Sequence, residues 1–426
     1  MKKNLLLLAA VVIPYLLGSV QAQTATSAVT GATYADNVWY SLENGTVKTE
    51  SATNWDIAFG AASSQFSSLS ASVHFNPRKG VVFVAPVTVA NFASLDTTGM
   101  TWTPLYNSDD TWSQGAFNNA AGSSNTDFGF GSYNGATHNV DASRVFVVRS
   151  GSAGSYTCTK LYIDLKSTQG KYVLTYDNLN NTNLQTQDIS VAPYATKNFV
   201  YYSMTDNLIV DREPAKNSWD LLFTQYTSST EPYSGLYDQT VTGVLANLGI
   251  EIAQVNEVDQ STYEDYSDLD FSENTNTIGW DWKKLVYTAT PPWQISTDVV
   301  YFVKVSNGDI WKVYFTGFSG GSTGTYSFTK EKLSTVTGLF NSTEKASLSV
   351  YPNPTANGNA TVIYDFANSK DAALTVCDLT GNVLFNENIQ SGLNAYTFST
   401  ASLKTGLYLV TLNVNGTVLQ QKLMVK

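Results

Sequence analysis

The segment Ser347-Leu348-Ser349-Val350-Tyr351-Pro352-Asn353-Pro354-Thr355 opens a C-terminal tail in which apolar and polar side chains alternate. The same period of two, typical of half-buried strands, recurs at 360–366, 374–385, 406–412 and 421–426. Gly-Asn and Asn-Gly pairs between these segments supply the positive φ angles of tight turns. Pro352 and Pro354 cannot donate to a ladder, so they mark the approach to the sheet. The spacing predicts a small Ig-like β-sandwich over residues 347–426.

The tail resembles the type A C-terminal sorting domain of proteins exported by the type IX secretion system of the Bacteroidota. The motif positions are Tyr351, Pro352, Asn353, Pro354, Gly381, Gly406, Lys422 and Lys426. The resemblance implies that the type IX machinery is a partner and that the tail is cut off upstream of Tyr351. The cargo is then attached to the cell surface or released. The alternative is an ordinary stabilising β domain.

The first residues predict export from the cytoplasm. Met1-Lys2-Lys3 is a basic start, an apolar run follows, and Val20-Gln21-Ala22 has the small residues of a cleavage site, so residues 1–22 are predicted to be a signal peptide. The apolar run is too short for a membrane anchor, and no other run predicts a transmembrane segment. No Lys/Arg cluster occurs in a chain of net charge −11, which argues against nucleic acid as a partner. The two cysteines, Cys158 and Cys377, fall in different predicted domains, which argues against a disulfide framework.

Between the signal peptide and the tail, the same series of short motifs occurs twice in the same order. Val38-Trp39-Tyr40-Ser41 and Trp55-Asp56 precede a Gly-Val strand, and Val200-Tyr201-Tyr202-Ser203 and Trp219-Asp220 precede another. Paired strands close each copy, with Tyr, Val and Phe on one predicted face and Lys, Ser and Thr on the other. No helical periodicity is sustained. The fold class is therefore all-β, with two related antiparallel β domains at 23–190 and 191–340 before the tail.

These motifs resemble the HmuY-like family, all-β surface or secreted proteins whose founding members bind haem. The match covers most of residues 30 to 335 and is best in the second copy. It implies haem as a cofactor, held by axial His or Met side chains on loops between the Gly-Val strand and the closing strands. The ligand candidates are His138, Met100 and His74, all in the first copy. The second copy departs from the family because it contains no histidine.

Residues 101–138 form an insertion rich in aromatic side chains. Trp102, Trp112 and Tyr133 are the candidates for the wall of a haem pocket or for stacking on sugar rings. Packing of the insertion onto the sheet is the alternative.

Two other patterns are weaker indications of a functional site. The acidic run at 257–273 is interpreted as a solvated loop, with calcium binding as the alternative. Gly317-Phe318-Ser319-Gly320-Gly321 fits a nucleophile elbow, but no helix follows and no histidine lies in that copy, so it predicts a hairpin tip. No catalytic residue and no metal site are predicted.

The sequence therefore predicts a non-enzymatic, exported ligand-binding protein, with haem or a porphyrin as the ligand that the resemblance implies. A non-haem adhesion or glycan-binding protein on the same fold is the alternative. A hydrolase would need carboxylates that converge in a cleft.

Overall fold

The computed structural model describes residues 23–61, 71–152, 154–229, 239–334, 347–355, 358–365, 372–378, 381–389, 394–414 and 417–426. The predicted signal peptide, its cleavage site at Ala22 and the predicted boundary near 340 lie outside these residues. The described chain is built from antiparallel strands, and its helical segments are short 3-10 turns. The all-β class is confirmed. Among the described residues, no helix has the length and apolar character needed to cross a membrane.

The strands before the tail are numbered in chain order. They are β1 (Thr24–Val29), β2 (Asp36–Ser41), β3 (Gly45–Ser51), β4 (Ile57–Gly60), β5 (Val73–Phe75), β6 (Val81–Val84), β7 (Gly131–Asn134), β8 (Asn139–Ala142), β9 (Phe146–Ser152), β10 (Ser155–Lys166), β11 (Lys171–Asn178), β12 (Gln185–Ser190), β13 (Phe199–Ser203), β14 (Leu208–Val210), β15 (Leu221–Ser228), β16 (Gln239–Ala246), β17 (Glu251–Val255), β18 (Lys283–Leu285), β19 (Trp293–Ile295), β20 (Val300–Lys304), β21 (Ile310–Phe318) and β22 (Thr325–Ser334). The 3-10 turns are Ala32–Tyr34, Val89–Ser94, Asn118–Ala120, Ser167–Gln169, Ala192–Tyr194 and Gly320–Ser322.

Strands β4 to β14 form two sheets that enclose one core. We call these two sheets and their core the inner unit. One sheet has the order β14-β13-β4-β5, and the other has the order β12-β11-β10-β8-β7, with β9 and β6 joined to it through β10. Their facing side chains form a single apolar cluster that includes Phe59, Val148 and Leu174. The alternation predicted from the sequence accounts for this burial, since every second residue of a strand faces the core.

A second pair of sheets forms the outer unit, which takes its strands from both sides of the inner unit in the sequence. Its sheets have the orders β1-β22-β21-β20-β17 and β16-β15-β2-β3, and a short hairpin, β18-β19, lies beside them. The core of this unit joins Val38 and Tyr40 from the N-terminal arm to Phe223, Phe315 and Phe328. The inner unit is thus inserted into the outer unit.

Strand pairing crosses the predicted division at residues 190 and 191. β13 pairs with β4, so that Tyr202 lies opposite Ile57, and β15 pairs with β2, so that Leu222 lies opposite Trp39. β12 also stays with the strands before it, through its pairing with β11. The domain limits 23–190 and 191–340 remain a prediction about the sequence, while the cores are shared across them.

The aspartates of the two Trp-Asp pairs stabilise this pairing across the division through matching contacts. Asp56 Oδ2 accepts a hydrogen bond from the Met204 backbone N–H at 2.7 Å, and Asp220 Oδ2 accepts one from the Leu42 N–H at 2.6 Å. Each carboxylate therefore holds the end of a strand that comes from the other part of the chain. A buried carboxylate bonded to a backbone N–H is among the stronger hydrogen bonds in proteins.

In each unit, one lysine on the polar face of the closing strands is covered by a loop, contrary to the simplest expectation from alternation. Lys160 on β10 is buried and donates to the Phe92 carbonyl oxygen at 3.0 Å. Lys312 on β21 is also buried, and it donates to the Ser261 carbonyl oxygen at 3.2 Å. In each unit a loop provides a carbonyl oxygen that accepts a hydrogen bond from the lysine and so lowers the free-energy cost of burying it.

The tail forms its own two sheets. Its strands are β23 (Ser347–Tyr351), β24 (Asn359–Asp365), β25 (Ala372–Asp378), β26 (Val383–Ile389), β27 (Asn394–Ser399), β28 (Gly406–Val414) and β29 (Thr417–Val425). The sheet orders are β23-β24-β27 and β26-β25-β28-β29, and one apolar cluster lies between them. This is the sandwich that the spacing predicts.

Candidate functional site

A cavity with a volume of about 380 Å³ opens in the outer unit. Three parts of the chain enclose it: the 3-10 turn of the N-terminal arm, strands β15 and β16, and the β18-β19 hairpin with the residues before it. Its lining residues are Tyr34, Gln225, Thr240, Val241, Thr242, Trp280, Asp281, Lys283, Lys284, Leu285 and Trp293. We call it the tryptophan cavity. Its volume falls in the range of small-molecule sites.

Aromatic rings form much of the cavity wall and are fixed by their neighbours. Trp293 packs edge-on against Phe318, with ring centroids 5.0 Å apart, and Tyr34 lies parallel to the same Phe318 ring at 6.1 Å. Trp280 donates its indole N–H to Ser228 Oγ at 3.1 Å. Each of the three rings is only partly buried. Rings held in this way keep a face or an edge for a ligand at little further entropic cost.

The glycine-rich tip between β21 and β22 lies directly behind this wall. Gly320 has φ +63°, and a Cβ atom placed on it would lie 2.4 Å from Trp293 Nε1. A Cβ atom placed on the neighbouring Gly321 would lie 3.7 Å from Tyr34, an ordinary contact distance. The hairpin-tip interpretation of the 317–321 motif thus agrees with the strand assignment, and Gly320 allows the tip to approach Trp293.

Tyr34 is held in an unusual backbone conformation. Thr33 and Tyr34 have φ values of +54° and +57°, a region that bulky side chains rarely adopt. The Arg78 guanidinium, from the inner unit, donates hydrogen bonds to the carbonyl oxygens of both residues and to Gln225 Oε1. Strained residues persist where their surroundings hold them, and they concentrate at functional sites. Arg78 therefore positions two parts of the cavity wall.

Charged groups complete the wall. Lys283 is only 4% exposed, and its Nζ donates to the carbonyl oxygens of Thr242 and Trp280 at 2.5 and 3.1 Å. Nζ also lies 4.3 Å from the centre of the Trp282 ring and 4.8 Å from that of Phe318. Burial lowers the pKa of Lys283 to about 7, and the negative charge of Asp281 acts in the opposite direction. Asp281 and Lys284 are exposed at the cavity.

Sequence reasoning missed this site. Three of the nine tryptophans, at positions 280, 282 and 293, lie within one short stretch that also contains Asp281, Lys283 and Lys284. That density was the available signal. The contribution of Tyr34 had no local signal, because this residue reaches the cavity only through the pairing of the N-terminal arm with the last strands.

The second cavity lies between the sheets of the two units and is small, about 70 Å³. Trp112, from the aromatic insertion, reaches across this boundary and donates its indole N–H to the Ala246 carbonyl oxygen at 2.8 Å. Arg212 is almost fully buried there, with its Cζ 5.0 Å from the ring centres of Trp39 and Tyr201 and 5.5 Å from that of Trp55. This space is suited to ordered water and is too small for a haem or a sugar.

The three predicted haem ligands occupy separate environments. His74 lines the small cavity, where Nε2 lies 2.9 Å from the Trp112 carbonyl oxygen and therefore carries the proton. Burial lowers the pKa of His74 to about 4. Met100 belongs to an apolar cluster with Phe83 and Phe92. His138 occupies the exposed turn between β7 and β8, where Nδ1 lies 2.7 Å from Tyr133 Oη. The three side chains thus lie in three different surroundings, which does not favour a haem held by two of them as axial ligands.

The three predicted pocket aromatics are also dispersed. Trp112 lines the small cavity, and none of the three lines the tryptophan cavity. Trp102 packs against Phe83 and lies 4.8 Å from the Arg149 guanidinium, and Tyr133 is exposed beside His138. For most of the insertion, packing onto the sheet is the outcome.

The acidic run covers the outer face of β20 and β21. Tyr263, Tyr266 and Phe271 from this run pack against Phe302 and its neighbours, while Asp259 and Asp265 bond to nearby serines. Within the part of the chain that the structure describes, no cluster of three His, Cys, Asp or Glu residues could hold a metal ion. Cys158 and Cys377 are both free and half-buried.

Asn353 of the tail motif is bonded to the last strand of the sandwich, β29. Asn353 Nδ2 donates to the Lys422 carbonyl oxygen at 2.5 Å, and Asn353 Oδ1 accepts from the Met424 N–H at 2.9 Å. Gly406 pairs with Val425 at the start of β28, next to Lys426. Pro352 and Pro354 flank Asn353 in the segment after β23. Gly381 forms a turn with φ +85°, and Tyr351 is 72% exposed.

Comparison with known proteins identifies the tail alone. Residues 349–426 match the family model of the secretion system C-terminal sorting domain. No curated protein matches the chain. The HmuY-like resemblance of residues 30 to 335 therefore stays a prediction. The tail is a sorting domain of the type IX secretion system, and the chain is a secreted or cell-surface protein exported by that system.

Proposed function

We propose that this exported protein binds saccharides, without catalysis, in the tryptophan cavity. The observation that carries the proposal is the combination of three partly buried rings, Tyr34, Trp280 and Trp293, with polar groups at their edges. Sugar rings present C–H faces that pack on aromatic side chains and hydroxyl groups that need hydrogen-bond partners. A concave, mostly apolar site with a few placed polar groups is the usual form of such a site.

The polar groups suit hydroxyl recognition. Gln225, Thr240 and Asp281 line the cavity and can donate or accept hydrogen bonds. Gln225 is oriented by Arg78, which donates to its Oε1. Asp281 is the only carboxylate among the described lining residues, whereas glycoside hydrolysis generally uses two. This favours binding over hydrolysis.

Haem binding is not carried into the proposal, because the three candidate ligands do not fit one haem. We keep the hypothesis that the two parts of the sequence are related copies. The observation that supports it is the matching pair of hydrogen bonds from the Met204 N–H to Asp56 and from the Leu42 N–H to Asp220.

The test is a screen of the mature protein against neutral and charged oligosaccharides, followed by calorimetric titration of each hit. Trp293→Ala should weaken binding at least about tenfold, because an aromatic contact contributes roughly 1.5 kcal/mol. Trp102→Ala is the matched control, since this tryptophan packs on Phe83 in the inner unit. Absence of binding to every saccharide, or equal affinity of Trp293→Ala and wild type, would overturn the proposal.

A further inference from the structure

Lys283 is a buried cation in the wall of the tryptophan cavity. Its Nζ donates to two backbone carbonyl oxygens and lies over the rings of Trp282 and Phe318. Among the described residues, no carboxylate lies within salt-bridge distance of it, and the nearby Asp281 acts on it only at longer range. The other buried lysine of this unit, Lys312, does have such a partner, since Glu331 Oε2 lies 3.8 Å from its Nζ.

A buried ammonium without a carboxylate partner is costly, and proteins retain such a group where it meets a charged ligand or does chemistry. Carbonyl oxygens and ring faces stabilise a lysine only in part. An ammonium has three N–H donors, and the two carbonyl bonds leave one of them for a further acceptor. Because Lys283 lines the cavity, a ligand bound there lies beside this side chain.

The charge balance of the wall favours an anion. Two lysines, Lys283 and Lys284, stand against one aspartate, Asp281, in a chain whose net charge is −11. A cleft of locally positive potential in an acidic protein concentrates anions that the rest of the surface repels.

We propose, building on the saccharide-binding function above, that the tryptophan cavity selects anionic sugars, whose charged group pairs with the Lys283 ammonium while the sugar ring packs on Trp293 or Trp280. The shared chemistry is an anionic oxygen on a sugar ring, and its two sources are a uronic acid carboxylate and a sulfate ester. The negatively charged Asp281 accepts hydrogen bonds from sugar hydroxyl groups.

The titration behaviour of the cavity agrees with this assignment. With its pKa lowered to about 7, Lys283 is divided between charged and neutral forms near neutral pH. An anion stabilises the charged form, so binding takes up a proton, and affinity is highest below the pKa of the free site. The other charged or ionisable side chains on the cavity lining are Asp281, Lys284 and Tyr34, and the Arg78 guanidinium bonds to Gln225 and to the Tyr34 carbonyl oxygen beside it.

The experiment compares an oligogalacturonide with its fully methyl-esterified form, because the two differ in charge and share a backbone. A sulfated oligosaccharide and its desulfated form make the second pair. The mature protein should bind the anionic member of one pair at least about tenfold more tightly. Lys283→Met should abolish this preference and retain binding of the neutral member. Lys304→Met, the matched control at a partly exposed ion pair with Glu251 outside the cavity lining, should keep the preference.

A measurement on the wild-type protein guards against a variant that fails to fold. Between pH 7 and 8.5, affinity for the anionic sugar should fall by up to about tenfold per pH unit, and affinity for the neutral sugar should stay constant. Equal affinity for both members of each pair, or a preference that persists in Lys283→Met, would overturn the inference alone. Absence of binding to any sugar would overturn the saccharide function as well.

Discussion

A Cβ atom on Gly320 would lie 2.4 Å from Nε1 of Trp293, so a glycine at this position lets the β21-β22 turn support the cavity wall. Replacement by alanine forces the turn or the indole to move, and the positive φ of Gly320 adds strain. Gly320→Ala is expected to weaken saccharide binding about tenfold or more, because the main aromatic wall loses its position. Calorimetric titration measures this change.

Gly321→Ala is the matched control for that variant. A Cβ on Gly321 would meet Tyr34 at 3.7 Å, which is ordinary van der Waals contact, and its φ is not positive. Its affinity should stay within about threefold of wild type. Equal loss of affinity in the two variants would show that the close approach to Trp293 is not what orders the wall.

The Asp220 carboxylate, which holds the Leu42 N–H, should contribute strongly to stability. Asp220→Ala leaves a buried N–H without its acceptor and is expected to lower the free energy of unfolding by about 1–3 kcal/mol. Urea unfolding measures this change. Asp188→Ala, which removes an exposed ion pair with Lys171, should cost less than about 1 kcal/mol. A similar cost for both variants would contradict the role of Asp220 in the strand exchange.

Deletion of residues 23–51 should unfold the outer unit and spare the inner one. The deleted arm contains β1 to β3, and without it β22 and β15 each lose one of their two partner strands. The inner unit keeps its strands from β4 to β14 and its own core. Hydrogen exchange followed by mass spectrometry should show rapid exchange in β15 to β22 and continued protection in β9 to β11. Uniform protection, or uniform loss of it, would contradict the nested arrangement.

Glu213 makes stability depend on pH. Burial raises the pKa of Glu213 to about 8, against the opposing hydrogen bonds from the N–H groups of Phe199 and Asn198. Between pH 4.5 and 8 the folded protein holds a proton that the unfolded chain releases. The free energy of unfolding therefore falls as pH rises through this range, by up to about 1.4 kcal/mol per unit from this one group.

Glu213→Gln removes this contribution and keeps an oxygen acceptor for the Phe199 N–H. The free energy of unfolding of Glu213→Gln minus that of wild type should increase by at least about 1 kcal/mol from pH 5 to pH 8. Glu251→Gln, at a partly exposed pair with Lys304, is the control and should show a nearly constant difference. A constant difference for Glu213→Gln would mean that its carboxyl group titrates normally.

In the tail, Asn353 imitates a strand residue through its two side-chain hydrogen bonds to β29. Asn353→Ala should lower the free energy of unfolding of the tail by about 1–2 kcal/mol. Tyr351→Ser is the matched control, since this side chain is mostly exposed and its loss should change stability by less than about 0.5 kcal/mol. Thermal unfolding of residues 347–426 would measure both, and equal midpoints for the two variants would contradict the structural role of Asn353.

The local signals of the sequence predicted the strands and the turns well. Alternation placed Val38, Tyr40, Phe223 and Phe328 in a core, and the glycines at 381 and 320 lie in turns with positive φ. These features depend on neighbouring residues, whose φ, ψ and side-chain directions are set by local sterics.

The candidate site was not predictable in the same way. His138, Met100 and His74 were brought forward by residue type and a family resemblance, and they lie in separate environments. Tyr34 and Lys283 were overlooked because nothing near them in the sequence indicates that they share a cavity with Trp293. A lysine on a strand is expected to face water, and only the hairpin and rings around Lys283 reverse that expectation.

The sequence by itself determined that this protein is built of strands and that its tail is a type IX sorting domain, since both follow from short-range patterns and a dense motif. Only the tertiary structure decided which strands pair, because alternation sets the face that a strand buries and not the partner that it takes. The N-terminal arm closes the outer unit through contacts with residues that lie far along the chain, such as that between Leu42 and Asp220. The tryptophan cavity follows from this closure, which places Tyr34 opposite a hairpin some 250 residues later.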